Sequence, residues 1–178
     1  MSHSKWAKTE YKKAASDAKK SKMFTKVVKL IITEAKKSNG NKESPGLKSA
    51  IEKARGVDMP NDNIERAIKK ATESGNNMEH ITYEAYGPGG VGMIIEALTE
   101  NRNKAAQEVR HILTKNGYEL GVMGSVSWGF EKKIDGDGIN WIPTLTIPVN
   151  EEDSPLLEKI IDELEDNDEV QSVFTNAE

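Results

Sequence analysis

The chain has 178 residues, 36% of them apolar and 30% charged, which is enough for a modest core and too apolar for a disordered polymer. Cysteine is absent, removing disulfides, thiol catalysis and cysteine metal sites, and no run of about 18 apolar residues is present to span a bilayer. The net charge of −4 conceals an imbalance: residues 1–75 carry 18 Lys/Arg against 9 Asp/Glu, and residues 76–178 carry 7 against 20. A split of that size predicts two modules, a cationic front half that faces a polyanion and an anionic rear half held away from it.

In chain order, Ala7 to Lys20 is rich in Ala and Lys without Gly or Pro and reads as a helix. Phe24, Val27, Val28, Ile31 and Ala35 form the apolar stripe of a second helix. Leu47, Ala50, Ile51 and Ala54 form a third, and Ile64, Ala67, Ile68 and Ala71 a fourth, with Pro60 placed for a first turn. The period changes near residue 78: "ITYEAY" alternates, "GPGG" turns, and "VGMIIEAL" is a β-rich run. "NRNKAAQEVRHILTKNG" is helical, with Asn101 or Asn103 as its cap and Asn116-Gly117 as its stop. "SVSWGF" and "WIPTLTIPV" are strand candidates separated by the polar loop "IDGDG", "DSPLLEKIIDELED" is a helix, and "EVQSVF" is a last strand. The expected fold is α+β: a small helical bundle over 1–78, then over 79–178 a ferredoxin-like split βαβ domain, an antiparallel four-stranded sheet with two helices on one face.

The opening segment sets Lys5, Lys8, Lys12, Lys13, Lys19, Lys20, Lys22 and Lys26 against only Glu10 and Asp17. Read functionally, it is a phosphate-binding surface whose affinity falls with salt; read plainly, it is a solvated helix face. An ammonium lacks the planar fork that reads guanine edges, so lysines in place of arginines suit backbone or folded-RNA shape better than a DNA sequence. Trp6 is either a hydrophobic anchor on the bundle or a stacking partner for an unpaired base, with His3 beside it. Arg66, Lys69 and Lys70 extend the basic surface or line the solvent side of the fourth helix, and Arg102 is a further contact candidate at a helix start. The glycines of "YGPGGVG" lead into a strand, so a turn is expected there in place of a phosphate loop. His80 and His111 stand alone, no Ser/His/Asp set is evident, and neither a metal, a cofactor nor an enzymatic activity is expected. The N-terminus has no apolar h-region and is lysine-rich with Glu10 and Asp17, which fits neither a secretory signal nor a transit peptide. A cytoplasmic or mature organellar protein is expected, with no membrane and no small-molecule substrate.

"HSKW", "DAKKSKMFTK", "MPNDNIERAIKKAT", "ITYEAYGPGGVGMIIEALTENRN", "EVRHILTKNG", "GSVSWGFEKK" and "DELEDNDEVQSVFTNAE" together resemble the YebC/PmpR family, which includes the mitochondrial translational activator of cytochrome oxidase. The resemblance implies an N-terminal helical domain followed by two mixed α/β domains. It also implies a non-enzymatic regulator of gene expression: a ribosome-associated translation factor on rRNA or tRNA, or alternatively a DNA-binding transcriptional regulator. A reading from another class makes the second domain a protein-interaction or ligand-sensing module. Three departures stand out: Ser2 replaces the usual Gly, the basic residues up to Lys53 are all Lys, and residues 134–140 stand where the family inserts its third domain. The nucleic-acid reading requires that the early ammonium groups be neither scattered nor tied up by carboxylates of the rear half.

Overall fold

A computed structural model describes residues 17–73, 75, 78–136 and 138–178, with the side chains of residues 17 and 18 left out. Most of the helix expected over Ala7 to Lys20 therefore lies outside the described residues. Its last turn runs without a break into α1, Asp17–Ser38, because neither Gly nor Pro interrupts "SKM". Helices α2, Pro45–Gly56, and α3, Asn61–Glu73, pack on it. The expected stripes are the buried faces, and Val27, Ile31 and Ala35 meet Leu47, Ala54, Ile64 and Ala67 in one core. Ile32 joins them, and Val28 lies only partly buried at the edge.

The second half is mixed: β1, Glu79–Tyr86; β2, Gly92–Thr99; α4, Arg102–Lys115; β3, Phe130–Asp135; β4, Gly138–Pro143; α5, Ser154–Glu165; and β5, Val170–Thr175. The α+β class, the helical N-terminal region and the antiparallel sheet are as the pattern predicts. Helices α4 and α5 share one face of the sheet, where Val109, Leu113, Leu157 and Ile160 cover Met93, Ile95 and Val173.

The strand pairing differs from a four-stranded split βαβ sheet. The order is β1-β2-β5, and β3 and β4 pair only with each other. The reason is local: β1 is tied to β2 by the tight turn at 87–91 and pairs with it from Glu79↔Thr99 to Tyr86↔Gly92. That occupies the edge β4 would need. The β3–β4 hairpin instead crosses the second face of the sheet, where Val126, Phe130 and Trp141 pack on Ile94 and Phe174. Strand β2 is thus buried along its whole length, which explains its continuous apolar run. "SVSWGF" is turn and 3-10 helix up to Gly129, with the strand starting at Phe130. "IDGDG" is the hairpin tip: Ile134 and Asp135 end β3 and Gly138 opens β4. "WIPTLTIPV" is strand only to Pro143, because Thr144 turns to bond the Gly129 carbonyl and Pro148 cannot donate to a ladder.

The two cores meet along α1. Lys22, Lys26 and Lys29 recur at i, i+4 and i+7, which puts them on one helical face. That face meets the acidic turn between α5 and β5. The Lys26 ammonium is buried and donates to the Glu165 carbonyl oxygen. Lys29 Nζ lies 2.8 Å from Glu169 Oε2 and 2.9 Å from the Asp168 carbonyl. Lys22 Nζ stands 3.7 Å from Asp166 Oδ2, and Gln171 donates to the Lys26 carbonyl at 3.0 Å. Burial lowers the Lys26 ammonium from 10.5 to about 8 and raises the Glu165 carboxyl from 4.5 to about 7. Burial alone would also raise Glu169, but hydrogen bonds from Lys29, Thr99 and Lys104 hold it below its ordinary value.

Two predictions follow from this packing. A Cβ on Gly92 would meet Val126 Cγ1 at 2.7 Å, whereas one on Gly56, in the last turn of α2, meets nothing within 4 Å. Gly92→Ala is expected to lower the melting temperature, and Gly56→Ala to raise stability by about 0.5–1 kcal/mol. For the seam, folded Glu165 holds a proton that the unfolded chain has released between pH 4.5 and about 7, so its contribution to stability falls as pH rises through that window. Folded Lys26 has released a proton that the unfolded chain keeps between about 8 and 10.5, so its contribution rises with pH there. Denaturant titration across pH is expected to show Glu165→Gln removing the first slope and Lys26→Met the second, each relative to the unaltered chain.

Candidate nucleic-acid interface

A cation binds phosphate only if its ammonium reaches water, so the position of each lysine decides its use. Of the residues singled out by sequence, His3, Lys5, Trp6, Lys12 and Lys13 lie outside the described residues. Lys19 is exposed near the start of α1. Lys20 is half-exposed and pairs with the exposed Asp58 at 3.3 Å, a surface contact worth about 0–1 kcal/mol that a phosphate can displace. Lys22 and Lys26 depart from the expectation of an outward cationic surface. Lys22 faces Asp166, and Lys26 is buried against the acidic turn, where its head finds a carbonyl.

The further candidates are dispersed. Arg66, Lys69 and Lys70 are exposed on α3, with Lys69 3.6 Å from Glu73. Arg102 Nε donates to Glu79 Oε2 at 3.0 Å, across from the first residue of β1. It lies beside the end of β2, where Asn101 caps α4 by accepting from the Lys104 N–H. Two lysines at the seam were not singled out by sequence: Lys29, and Lys104, whose Nζ stands 3.4 Å from Glu169 Oε1. The available signal was the i, i+4, i+7 spacing of Lys22, Lys26 and Lys29 opposite the acid run "EDNDE" at 165–169.

Between the strands, Gly89 and Gly90 adopt φ of 71° and 77°, which only glycine adopts without strain, and the segment is the turn expected of it. His80 Nε2 lies 2.5 Å from Glu96 Oε2, and that buried carboxylate also accepts from Thr82 and from Trp141 Nε1, fastening the hairpin to the sheet. Among the described residues no group of three His, Cys, Asp or Glu could hold a metal ion, and no helix is long and apolar enough to cross a membrane.

Comparison with known proteins places this geometry. Residues 4–74 match the TACO1/YebC protein N-terminal domain, and residues 78–136 and 131–177 match the TACO1/YebC second and third domain in two stretches that meet at the β3–β4 hairpin. A "probable transcriptional regulatory protein" of Fervidobacterium nodosum is 38% identical over 98% of this chain and 92% of its own. That alignment runs over 232 positions against the 178 residues here, so at least 54 positions have no counterpart in this chain. A protein of the same description from Thermotoga petrophila is 51% identical over 74% of this chain and 53% of its own. The crystal structure of a conserved hypothetical protein from Aquifex aeolicus superposes with a TM-score of 0.87 at 31% identity, covering 97% of this chain and 96% of that one. With both family models matching along nearly its whole length, the chain belongs to the TACO1/YebC family.

Proposed function

We propose that the chain is a non-enzymatic nucleic-acid-binding regulator of gene expression, and that its nucleic acid is RNA, contacted as rRNA or tRNA on the ribosome. The observation that carries this reading is the charge that survives the seam. With Lys22, Lys26 and Lys29 committed to the acidic turn, residues 1–75 still hold 15 Lys/Arg against 9 Asp/Glu. In sequence that excess lies in residues 1–75, while the 20 acidic side chains that repel phosphate fall in residues 76–178. The phosphate surface of this proposal comprises His3, Lys5, Trp6, Lys12, Lys13, Lys19 and Lys20, with Arg66, Lys69 and Lys70 as flanking contacts. Lys22 and Lys26 serve to orient α1. The preference for RNA rests on the use of Lys, which binds phosphate as a point charge without the bidentate base reading of Arg.

A DNA-binding transcriptional regulator is the second reading, favoured by the names of the bacterial relatives. Two measurements separate them. Co-sedimentation with ribosomes is expected at low salt and lost at high salt, with log affinity falling by roughly 0.7–0.9 per log salt for each phosphate contact. Absence from the ribosomal fraction at low salt, together with preference for one duplex sequence in a shift assay, supports DNA instead. Joint replacement of Lys5, Lys12 and Lys13 by Glu is expected to lower RNA affinity at least tenfold with little change in melting temperature. Lys29→Ala, which leaves buried Glu169 held by Thr99 and Lys104, is expected to lower the melting temperature.

A further inference from the structure

Every large apolar side chain that stands out into solvent among the described residues belongs to the second half. Val122, Met123, Trp128, Ile134, Ile142 and Leu145 fall within 24 residues, and Tyr86 lies against them; the three-helix core and helices α4 and α5 contribute none. Met123 is 93% exposed, Val122 78% and Trp128 70%. Single exposed apolar residues are ordinary, whereas a contiguous set marks an interaction surface.

The set is held in place. Glu84, buried at the end of β1, accepts backbone N–H groups from Gly124 at 2.7 Å, Val126 at 3.0 Å and Ser127 at 2.6 Å. Burial alone would raise its carboxyl, but these three donors keep it below its ordinary value, so the loop wraps an ionised anchor. Trp128 Nε1 donates to the Ser125 carbonyl at 2.9 Å and lies 3.2 Å from Tyr86 Oη, which itself donates to that carbonyl at 2.7 Å. Both rings are pinned by their polar tips with carbon surface left to solvent. The Gly129 carbonyl accepts from Thr144 N–H at 2.9 Å, which brings the exposed Leu145 beside the same loop. An aromatic pair and a Met on a pre-ordered loop is the composition of an energetic anchor for a protein partner.

The surrounding charge selects the occupant. Residues 119–153 carry seven acidic side chains against two lysines, and Lys132 holds its ammonium 5.5 Å over the Trp141 ring. A polynucleotide laid here would meet net negative charge with little to neutralise its phosphates. We propose that this surface docks a segment of a different protein, one with apolar or aromatic anchors flanked by Lys or Arg, so that the chain joins a polyanion at its lysine-rich start to a protein on its second half. The claim does not rest on the nucleic acid being RNA.

The test uses the full chain against arrayed 12-residue peptides with randomised apolar cores, half flanked by Lys/Arg and half by Asp/Glu. Binding to members of the basic-flanked set is expected, falling at least tenfold in Met123→Ser/Trp128→Ser, with melting temperature and RNA affinity unchanged because both side chains are exposed. Glu84→Gln, which removes the ionised anchor, is expected to weaken the same peptides while leaving Met123 and Trp128 in place. Equal binding by the double variant, preference for the acidic-flanked set or no peptide bound overturns the proposal. So does RNA affinity lost in the double variant, which puts a base on Trp128, or a dimer of the chain that the variant abolishes, which makes a second copy the occupant.

Discussion

A lysine ammonium removed from water must recover its hydration from carbonyls or carboxylates, and the joining of the two cores depends on that requirement. One face of α1 brings Lys22, Lys26 and Lys29 to the turn at Glu165–Glu169, where the strongly cationic and strongly anionic parts of the chain touch through buried groups. Lys26 and Glu165 are both driven toward neutrality by burial, while hydrogen bonds from Lys29, Thr99 and Lys104 hold the Glu169 carboxyl below its ordinary value. Such a seam adds orientation more than stability, since desolvation offsets most of the Coulomb gain.

Its consequence is a division of labour among lysines of the same helix. Those facing the turn are neutralised within the molecule and fix the direction of α1; Lys19 also acts on Asp162 and Glu165 of the acidic side, Lys20 meets Asp58 at the surface, and the lysines before Asp17 lie beyond the described residues. The acidic run at 165–169, which reads in sequence as the flank of an amphipathic helix, is what separates the two groups. The second half in turn uses buried carboxylates as fasteners: Glu96 ties the hairpin to the sheet and Glu84 orders the loop at 121–127.

Much of the fold was legible because it rests on local periodicity. The stripes of α2 and α3, the alternation of β1 and the caps of α4 are written within a few residues of where they act. The misreadings arose where a distant partner decides the outcome. "SVSWGF" alternates like a strand, but a carboxylate some forty residues earlier captures its N–H groups and holds it as a turn. "WIPTLTIPV" looks continuous until Thr144 is drawn to Gly129. Lys26 counts as surface in any residue-by-residue reading, and its burial follows only from the meeting of α1 with a turn 139 residues later. The charge split between the halves was visible from composition, whereas the identity of the lysines that cancel it was not.

The central claim is that this seam sorts the lysines of the first helix into inward and outward sets. Lysine acylation read by mass spectrometry, with and without a bound RNA oligomer, tests it most directly. Lys26 and Lys29 are expected to resist acylation in the free protein and to be unaffected by RNA, while Lys5, Lys12 and Lys13 react readily and become protected when RNA is added. Ready acylation of Lys26 and Lys29 in the free protein, or protection that falls on the acidic half instead of the chain start, would contradict the account.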